Sequence, residues 1–325
     1  MKKTALITGI LGQDGSYLAK YLIEKDYKVY GLFKNSNNPN FENNNYLNIT
    51  KYIEYESGNI KDEWFVLKLV KNIKPDELYN LAAQSFVGNS WDLCKETFEV
   101  NLMGVLNLLE AIKYYSPNTK FYQASTSEMF GNSHINFYQD EETPFKPTSP
   151  YAISKLAAHN LVKNYRDSYN LFCCSGILFN HESPIRGKQF VTRKITDGVA
   201  KIRAGLANKI QLGNLDSKRD WGFAGDYVQA MWLMLQQKNP DDYVIATGET
   251  HSVKEFCEKA FSYAGIKDWE KHIEINPIYK RPSELHYLRG NPQKAKKMLG
   301  WNTNCSFDDL VKMMVDEDLK RYNVK

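Results

Sequence analysis

Short apolar runs alternate with longer segments of helical period along the first half of the chain, and no other feature constrains its fold as strongly. In order these are "TALIT", "SYLAKYLIEK", "KVYGLF", "IEYESGNI", "EWFVLKLVKNI", "ELYNLAA", "TFEVNLMGVLNLLEAIKYY" and "KFYQAST". Strands and helices alternating at this pace form βαβ units, which implies a parallel sheet covered by helices on both faces. The expected fold is therefore α/β, a doubly wound parallel sheet of Rossmann type. In such sheets ligands sit beyond the carboxyl ends of the strands. "TGILGQDG", "LAAQS" and "STSE" each follow an apolar run and fall there.

From about Phe179 the texture changes to longer polar connections such as "NHESPIRGKQFVTRK" and "LGNLDSKRDWG". Residues 1–179 are expected to form the nucleotide-binding domain and 180–325 mainly a smaller, interleaved substrate-binding domain. A helix in "GFAGDYVQAMWLMLQ", within a segment at about 221–250, is expected to return to the first. The asparagine-rich "KNSNNPNFENNN" reads as a mobile loop. A chain of 325 residues is long enough for this arrangement. Its 42 basic and 38 acidic residues form no long single-sign block, which argues against a nucleic-acid surface. Cys94, Cys173, Cys174, Cys257 and Cys305 show no disulfide or metal spacing, and the apolar start breaks at glycines too early for a signal peptide. No apolar segment is long enough to span a membrane. The expected setting is the cytoplasm.

Gly9, Gly12 and Gly15 form GxxGxxG between the strand "TALIT" and a helix starting near Ser16. Glycine permits the tight turn and close approach of a pyrophosphate, and the helix start offers unpaired N–H groups. An NAD site usually carries an acidic residue about 20 positions on. Here Lys34 and Asn35 end the second strand. A cation there suits a 2′-phosphate, so NADP is the expected cofactor, with NAD as the alternative if Lys34 is only solvated.

Tyr151 and Lys155 lie in "SPYAISKLAAHNLVKNY", where Pro150 marks a helix start and a spacing of four puts both on one face. An ammonium about 4 Å from a phenol favours the phenolate by up to about 4 kcal/mol at an intermediate dielectric. That would bring the phenol from its usual value of about 10 toward neutrality, where it can act as a general base.

These segments together resemble the extended short-chain dehydrogenase/reductase family, and within it the branch of GDP-mannose 4,6-dehydratases. The resemblance runs through "TGILGQDGSYLAKYLIEK", "PDELYNLAAQSFVG", "YQASTSEMFG", "SPYAISK", "NHESPIRGKQFVTRKIT", "LGNLDSKRDWG", "DYVIATGETHSV" and "KAKKMLGW". It implies oxidation of a GDP-linked manno sugar at carbon 4, loss of water across carbons 5 and 6, and return of the hydride to carbon 6. Tyr151 with Lys155 would take the proton of the carbon 4 hydroxyl while Thr126 bonds that oxygen. Glu128 would remove the proton at carbon 5, and Glu128 or Ser127 would help the carbon 6 hydroxyl leave. On the cofactor side the resemblance implies Gly9, Ile10, Gly12, Gln13, Asp14 and Gly15, then Asn59 and Ile60 near the adenine. Leu81, Ala82, Ala83, Gln84 and Ser85, with His181 and Arg186, complete that set. For the substrate it implies Ser85, Asn180, Lys194, Arg219, Arg281 and Glu284. No metal is implied, since His181 has no partner ligands at metal spacing.

The resemblance is broken at three places. Lys34 and Asn35 replace a pair of arginines that reaches a neighbouring subunit's cofactor. Asn59 replaces an aspartate, and His286 follows "RPSEL" where an aspartate is usual, which points to a changed sugar pocket. A symmetric assembly, homodimer or homotetramer, is expected. Two other substrates or reactions fit the same motifs: dehydration of a GDP-linked manno-heptose, and 4-reduction or epimerisation, in which Glu128 would be incidental. A nucleotide-sensing protein without catalysis is disfavoured by the presence of Thr126, Tyr151 and Lys155.

Overall fold

The computed structural model describes residues 2–132, 138–279 and 282–324. Its first six strands are β1 (Thr4–Thr8), β2 (Lys28–Lys34), β3 (Ile53–Gly58), β4 (Glu77–Asn80), β5 (Lys120–Thr126) and β6 (Cys173–Leu178). With the strand Asp242–Ile245 they form a seven-stranded sheet in the order β3-β2-β1-β4-β5-β6 and then Asp242–Ile245, every pairing parallel. This is the doubly wound order expected from the alternation of elements, with its reversal between β1 and β4. Strands β4 and β6 are buried at every position, as expected of parallel strands covered on both faces, and the polar ends of β4 are hydrogen-bonded there, Glu77 accepting from Tyr79 and Asn80 donating to Gln123.

Helices Gln13–Glu24 and Ala224–Leu235 cover one face of the sheet and meet through Tyr21 and Trp232, whose ring centres lie 5.9 Å apart. Tyr227, Val228 and Met231 of the helix Ala224–Leu235, with Tyr243 and Ile245 of the strand after it, pack in one core with Ala5, Ile7, Leu18 and Leu22. So do Ala295, Leu299 and Trp301, a return that the sequence did not show. A separate core lies between helices Val191–Arg203, Val253–Tyr263 and Phe307–Arg321, around Trp221, Phe256 and Phe307. Arg193 and Asp318 form a bidentate ion pair inside it.

The asparagine-rich segment is anchored rather than loose. Phe41 packs edge-on against Phe33 and Tyr55. Asn43 donates to the Leu11 carbonyl, and buried Asn44 accepts from Ser16 and donates to Tyr55, around a short helix Glu42–Tyr46. Among the described residues no helix is long and apolar enough to cross a membrane.

Candidate active site

The reversal between β1 and β4 opens a crevice whose walls are fixed by backbone geometry. Gly9 has φ +73°, and a Cβ there would lie 2.9 Å from the Leu81 and Ala82 backbone, so only glycine lets the two loops approach this closely. A Cβ on Gly15 would lie 2.4 Å from the Gly9 carbonyl oxygen. The helix Gln13–Glu24 starts at Gly12 with no side chain capping its first amides, which leaves them free for an anion. Thr8 holds the opposite loop: its Oγ1 accepts from the Leu81 and Ala82 amides and donates to Asn80. A glycine cradle beside an uncapped helix start fits the pyrophosphate of a dinucleotide.

Strand β5 delivers the carboxylate at its end. Thr126 caps a single 3₁₀ turn, Ser127–Phe130, by accepting from the Glu128 amide, and Gly131 closes it at φ +60°. The turn needs that glycine, because a Cβ would fall 1.9 Å from the Lys146 carbonyl oxygen. The helix Pro150–Tyr169 is capped by Ser149, which accepts from Ala152, and has Pro150 in its first turn. It presents Tyr151 and Lys155 to the same cleft, a cavity of about 560 Å³. Asp14, Leu81, Ala83, Ser85, Thr126, Ser127 and Glu128 line it from the sheet side. Asn180, His181, Arg186, Lys194, Arg219 and Glu284 line it from the later segment.

The remaining expected residues fall elsewhere. Gly9, Gly12 and Lys34 line a second cavity of about 290 Å³ at the end of β2. Ile10, Gln13 and Ile60 are buried beneath the loops, Ala82 serves through its amide, and Asn59 accepts from the Lys61 amide. Arg281 lies outside the described residues. His286 is exposed and absent from the cleft lining, and its amide donates to Asn132, so the expectation of a changed sugar pocket finds no contact here.

Two charge patterns shape the cleft. His181 donates from Nδ1 to the Phe179 carbonyl and from Nε2 to the Asp14 carboxylate, both at 2.8 Å. Two acceptors require two donors, which is the imidazolium. Burial opposes that charge, yet the Asp14 carboxylate lifts His181 above its ordinary 6.5. Burial likewise disfavours the Asp14 carboxylate, and the adjacent His181 outweighs it, holding Asp14 at about 2 against an ordinary 3.8. The depressed acid contributes stability above about pH 4 that is lost as pH falls through 2. The raised base contributes stability below 6.5 that is lost as pH rises through its folded value. The melting temperature of the wild type relative to Asp14→Asn is therefore expected to show its largest advantage between about pH 4 and 6.5, narrowing on either side. A constant difference across that range would contradict the pairing.

The second pattern corrects the expectation for Tyr151. Burial pushes the phenol up to about 12, against a hydrogen bond from Thr126 that lowers it, and the Glu128 charge adds to the rise. Lys155 lies 5.9 Å from the ring centre and donates instead to the Ala124 carbonyl at 2.9 Å. Burial brings Lys155 itself down to about 8. The spacing of the two residues is as expected, but Lys155 is turned to the Ala124 carbonyl, and burial leaves Tyr151 a phenol rather than a phenolate.

Several participants escaped sequence reasoning. Asn101 sits in the π-helical turn Glu99–Met103, where it accepts from the Gln84 amide and donates to the Gln84 carbonyl and Ser154 Oγ. It thereby ties the "LAAQS" loop to the helix that carries Tyr151. Its only signal was an asparagine inside an apolar helical run. Tyr279 holds the Lys194 ammonium 3.2 Å from its ring centre. Arg186 lies 3.0 Å from Glu182 and over the Phe190 ring.

Residues 6–314 match the sequence model of the GDP-mannose 4,6-dehydratase family. The chain belongs to that family. It is 51% identical to GDP-mannose 4,6 dehydratase 1 of Arabidopsis thaliana, over 98% of this chain and 90% of the relative. The human GDP-mannose 4,6 dehydratase is 46% identical over 98% and 92% of the two chains. That of Vibrio cholerae is 42% identical over 98% and 95%. Among solved structures, the Thermus thermophilus UDP-glucose 4-epimerase in complex with NAD superposes with a TM-score of 0.85 at 27% identity, covering 97% of this chain and 98% of that one. The dTDP-glucose 4,6-dehydratase of Bacillus anthracis shares the fold, with a TM-score of 0.86 at 23% identity and 99% and 98% coverage. Family membership puts a nicotinamide dinucleotide fold and a sugar-nucleotide hydro-lyase on the same chain as the carboxylate beside Tyr151.

Proposed function

We propose that this chain is an NADP-dependent GDP-mannose 4,6-dehydratase, which converts GDP-mannose to GDP-4-keto-6-deoxymannose and water. The observation that carries the reading is that Glu128, Thr126, Tyr151 and Lys155 line one cleft, brought there by the turn after β5 and by the helix Pro150–Tyr169. Reduction or epimerisation needs only the last three. A second base is what elimination adds.

The oxidised dinucleotide, when bound, supplies the hydride acceptor and a positive charge near the phenol. With that charge and the Lys155 ammonium favouring its phenolate, Tyr151 would take the proton of the carbon 4 hydroxyl, with Thr126 bonding the same oxygen. The resulting ketone acidifies carbon 5. Glu128 accepts that proton, and the carbon 6 hydroxyl leaves as water after protonation by Glu128 or through Ser127. Return of the hydride to carbon 6 and of a proton to carbon 5 completes a sequence with no net oxidation.

Gly9 to Gly15 with the loop Leu81 to Ser85 hold the dinucleotide in this reading, and Lys34 faces its 2′-phosphate. His181, locked to Asp14, and Arg186 stand beside it. Lys194 and Arg219 bind the diphosphate with Asn180, and Glu284 takes the guanosine ribose. Residues 1–179 with the return at 221–250 form the cofactor unit, and 180–325 mainly the substrate unit. A homodimer or homotetramer in the cytoplasm completes the reading. Incubation with GDP-mannose and a trace of NADP, followed by NMR of the sugar, is expected to show a 4-keto-6-deoxy product without net formation of reduced cofactor. An unchanged sugar would end the dehydratase reading, and stoichiometric use of NADPH would favour a reductase.

A further inference from the structure

The end of β2 carries a cation by sequence, but not a lone one. Lys34 Nζ lies 3.2 Å from the Glu96 carboxylate, which the helix Cys94–Phe98 brings from 62 residues further along the chain. Lys34 also lines the second cavity, together with Gly9 and Gly12 of the phosphate loop and Phe33. Glu96 does not line that cavity itself, but its contact with Lys34 puts an anion beside the place where a Rossmann fold discriminates between its two dinucleotides.

The two ligands ask for opposite charges there. A ribose with a free 2′-hydroxyl is bound by an acceptor, ordinarily a carboxylate at the end of the second strand, whereas a 2′-phosphate needs a cation and is repelled by a carboxylate. This chain has no acid at the end of β2. We infer that Glu96 supplies the missing carboxylate from a different element, so that this NADP site also admits NAD and Glu96 sets the ratio between them. The inference rests on the reading of this cleft as a nicotinamide dinucleotide site.

Neighbouring charges leave that role to Glu96. Glu99, one turn on, is already held by Lys61 at 2.9 Å and Lys95 at 3.8 Å. The Lys34 and Glu96 side chains are 69% and 38% exposed, so their pair is screened by water and opens at little cost. Either partner can then turn to a ligand. With NADP, Lys34 meets the phosphate while Glu96 opposes it. With NAD, Glu96 accepts from the 2′-hydroxyl while Lys34 is a bystander.

The test is equilibrium binding of NAD and NADP to the intact protein, by calorimetry, for the wild type, Glu96→Gln and Lys34→Gln. Wild-type affinities for the two dinucleotides are expected to lie within about tenfold of each other. Glu96→Gln should tighten NADP about fivefold and weaken NAD about threefold, because one charge repulsion and one acceptor are removed. Lys34→Gln should weaken NADP alone. High salt should shrink the NADP effect of Glu96→Gln, since the charges are exposed. If Glu96→Gln leaves the ratio unchanged while Lys34→Gln alters it, the role of Glu96 is refuted and the cofactor reading stands. If the wild type binds neither dinucleotide, the cofactor reading itself fails, and the inference with it.

Discussion

Glu128→Gln is expected to lower dehydratase turnover about 10³-fold, the scale of a lost general base, while GDP affinity stays within about twofold. Glutamine has the same shape, so the 3₁₀ turn at Ser127–Phe130 and its cap on Thr126 should persist. The variant separates the steps of the reaction. The Glu128 charge raises the Tyr151 phenol, so its removal leaves the oxidation at carbon 4 no harder than before. What is lost is the acceptor for the carbon 5 proton. Stopped-flow absorbance of reduced nicotinamide should therefore show it accumulating in Glu128→Gln, where the wild type shows none. Unchanged turnover would remove Glu128 from the mechanism, and loss of both phases would mean that the substitution disturbs binding or Tyr151.

Asp318→Ala carries the largest expected cost to stability, about 3–5 kcal/mol, with a fall in melting temperature on the order of 10 °C. Asp318 is fully buried and accepts from Arg193 Nε and Nη2, from Thr196 and from Arg321. Its removal leaves the buried Arg193 guanidinium without its counter-charge. The remaining Arg193 nitrogen donates to the Pro184 and Arg186 carbonyls, so the segment that carries Arg186 to the cleft should loosen as well. The exposed pair Lys312 and Asp316, on the same helix, provides the comparison. Asp316→Ala should change stability by less than about 1 kcal/mol. Equal melting temperatures for the two variants would contradict this account of the second core.

The parts of the site that the sequence revealed are those set by local geometry. GxxGxxG, the turn after β5 and the four-residue spacing of Tyr151 and Lys155 each lie within one element and its cap, where residue type and period dictate the shape. The parts it hid depend on residues far apart in the chain. Arg193 and Asp318 are separated by 125 residues, and Lys34 and Glu96 by 62, so no window along the sequence contains either pair. Thr8 and Asn101 act on backbone amides of the loop after β4, far from either in the chain, and nothing in their own neighbourhood marks them. The state of Tyr151 shows the same limit in energetic form. The sequence shows a lysine one turn away, but the desolvation that pushes the phenol to about 12 comes from packing across several elements.

The central claim is that one cleft oxidises carbon 4, eliminates water and returns the same hydride to carbon 6. GDP-mannose carrying deuterium at carbon 4 tests it directly, with the position of the label in the product read by NMR. The account predicts a 4-keto-6-deoxy sugar with the deuterium on carbon 6. Deuterium still at carbon 4, lost to solvent or recovered on released cofactor would contradict it.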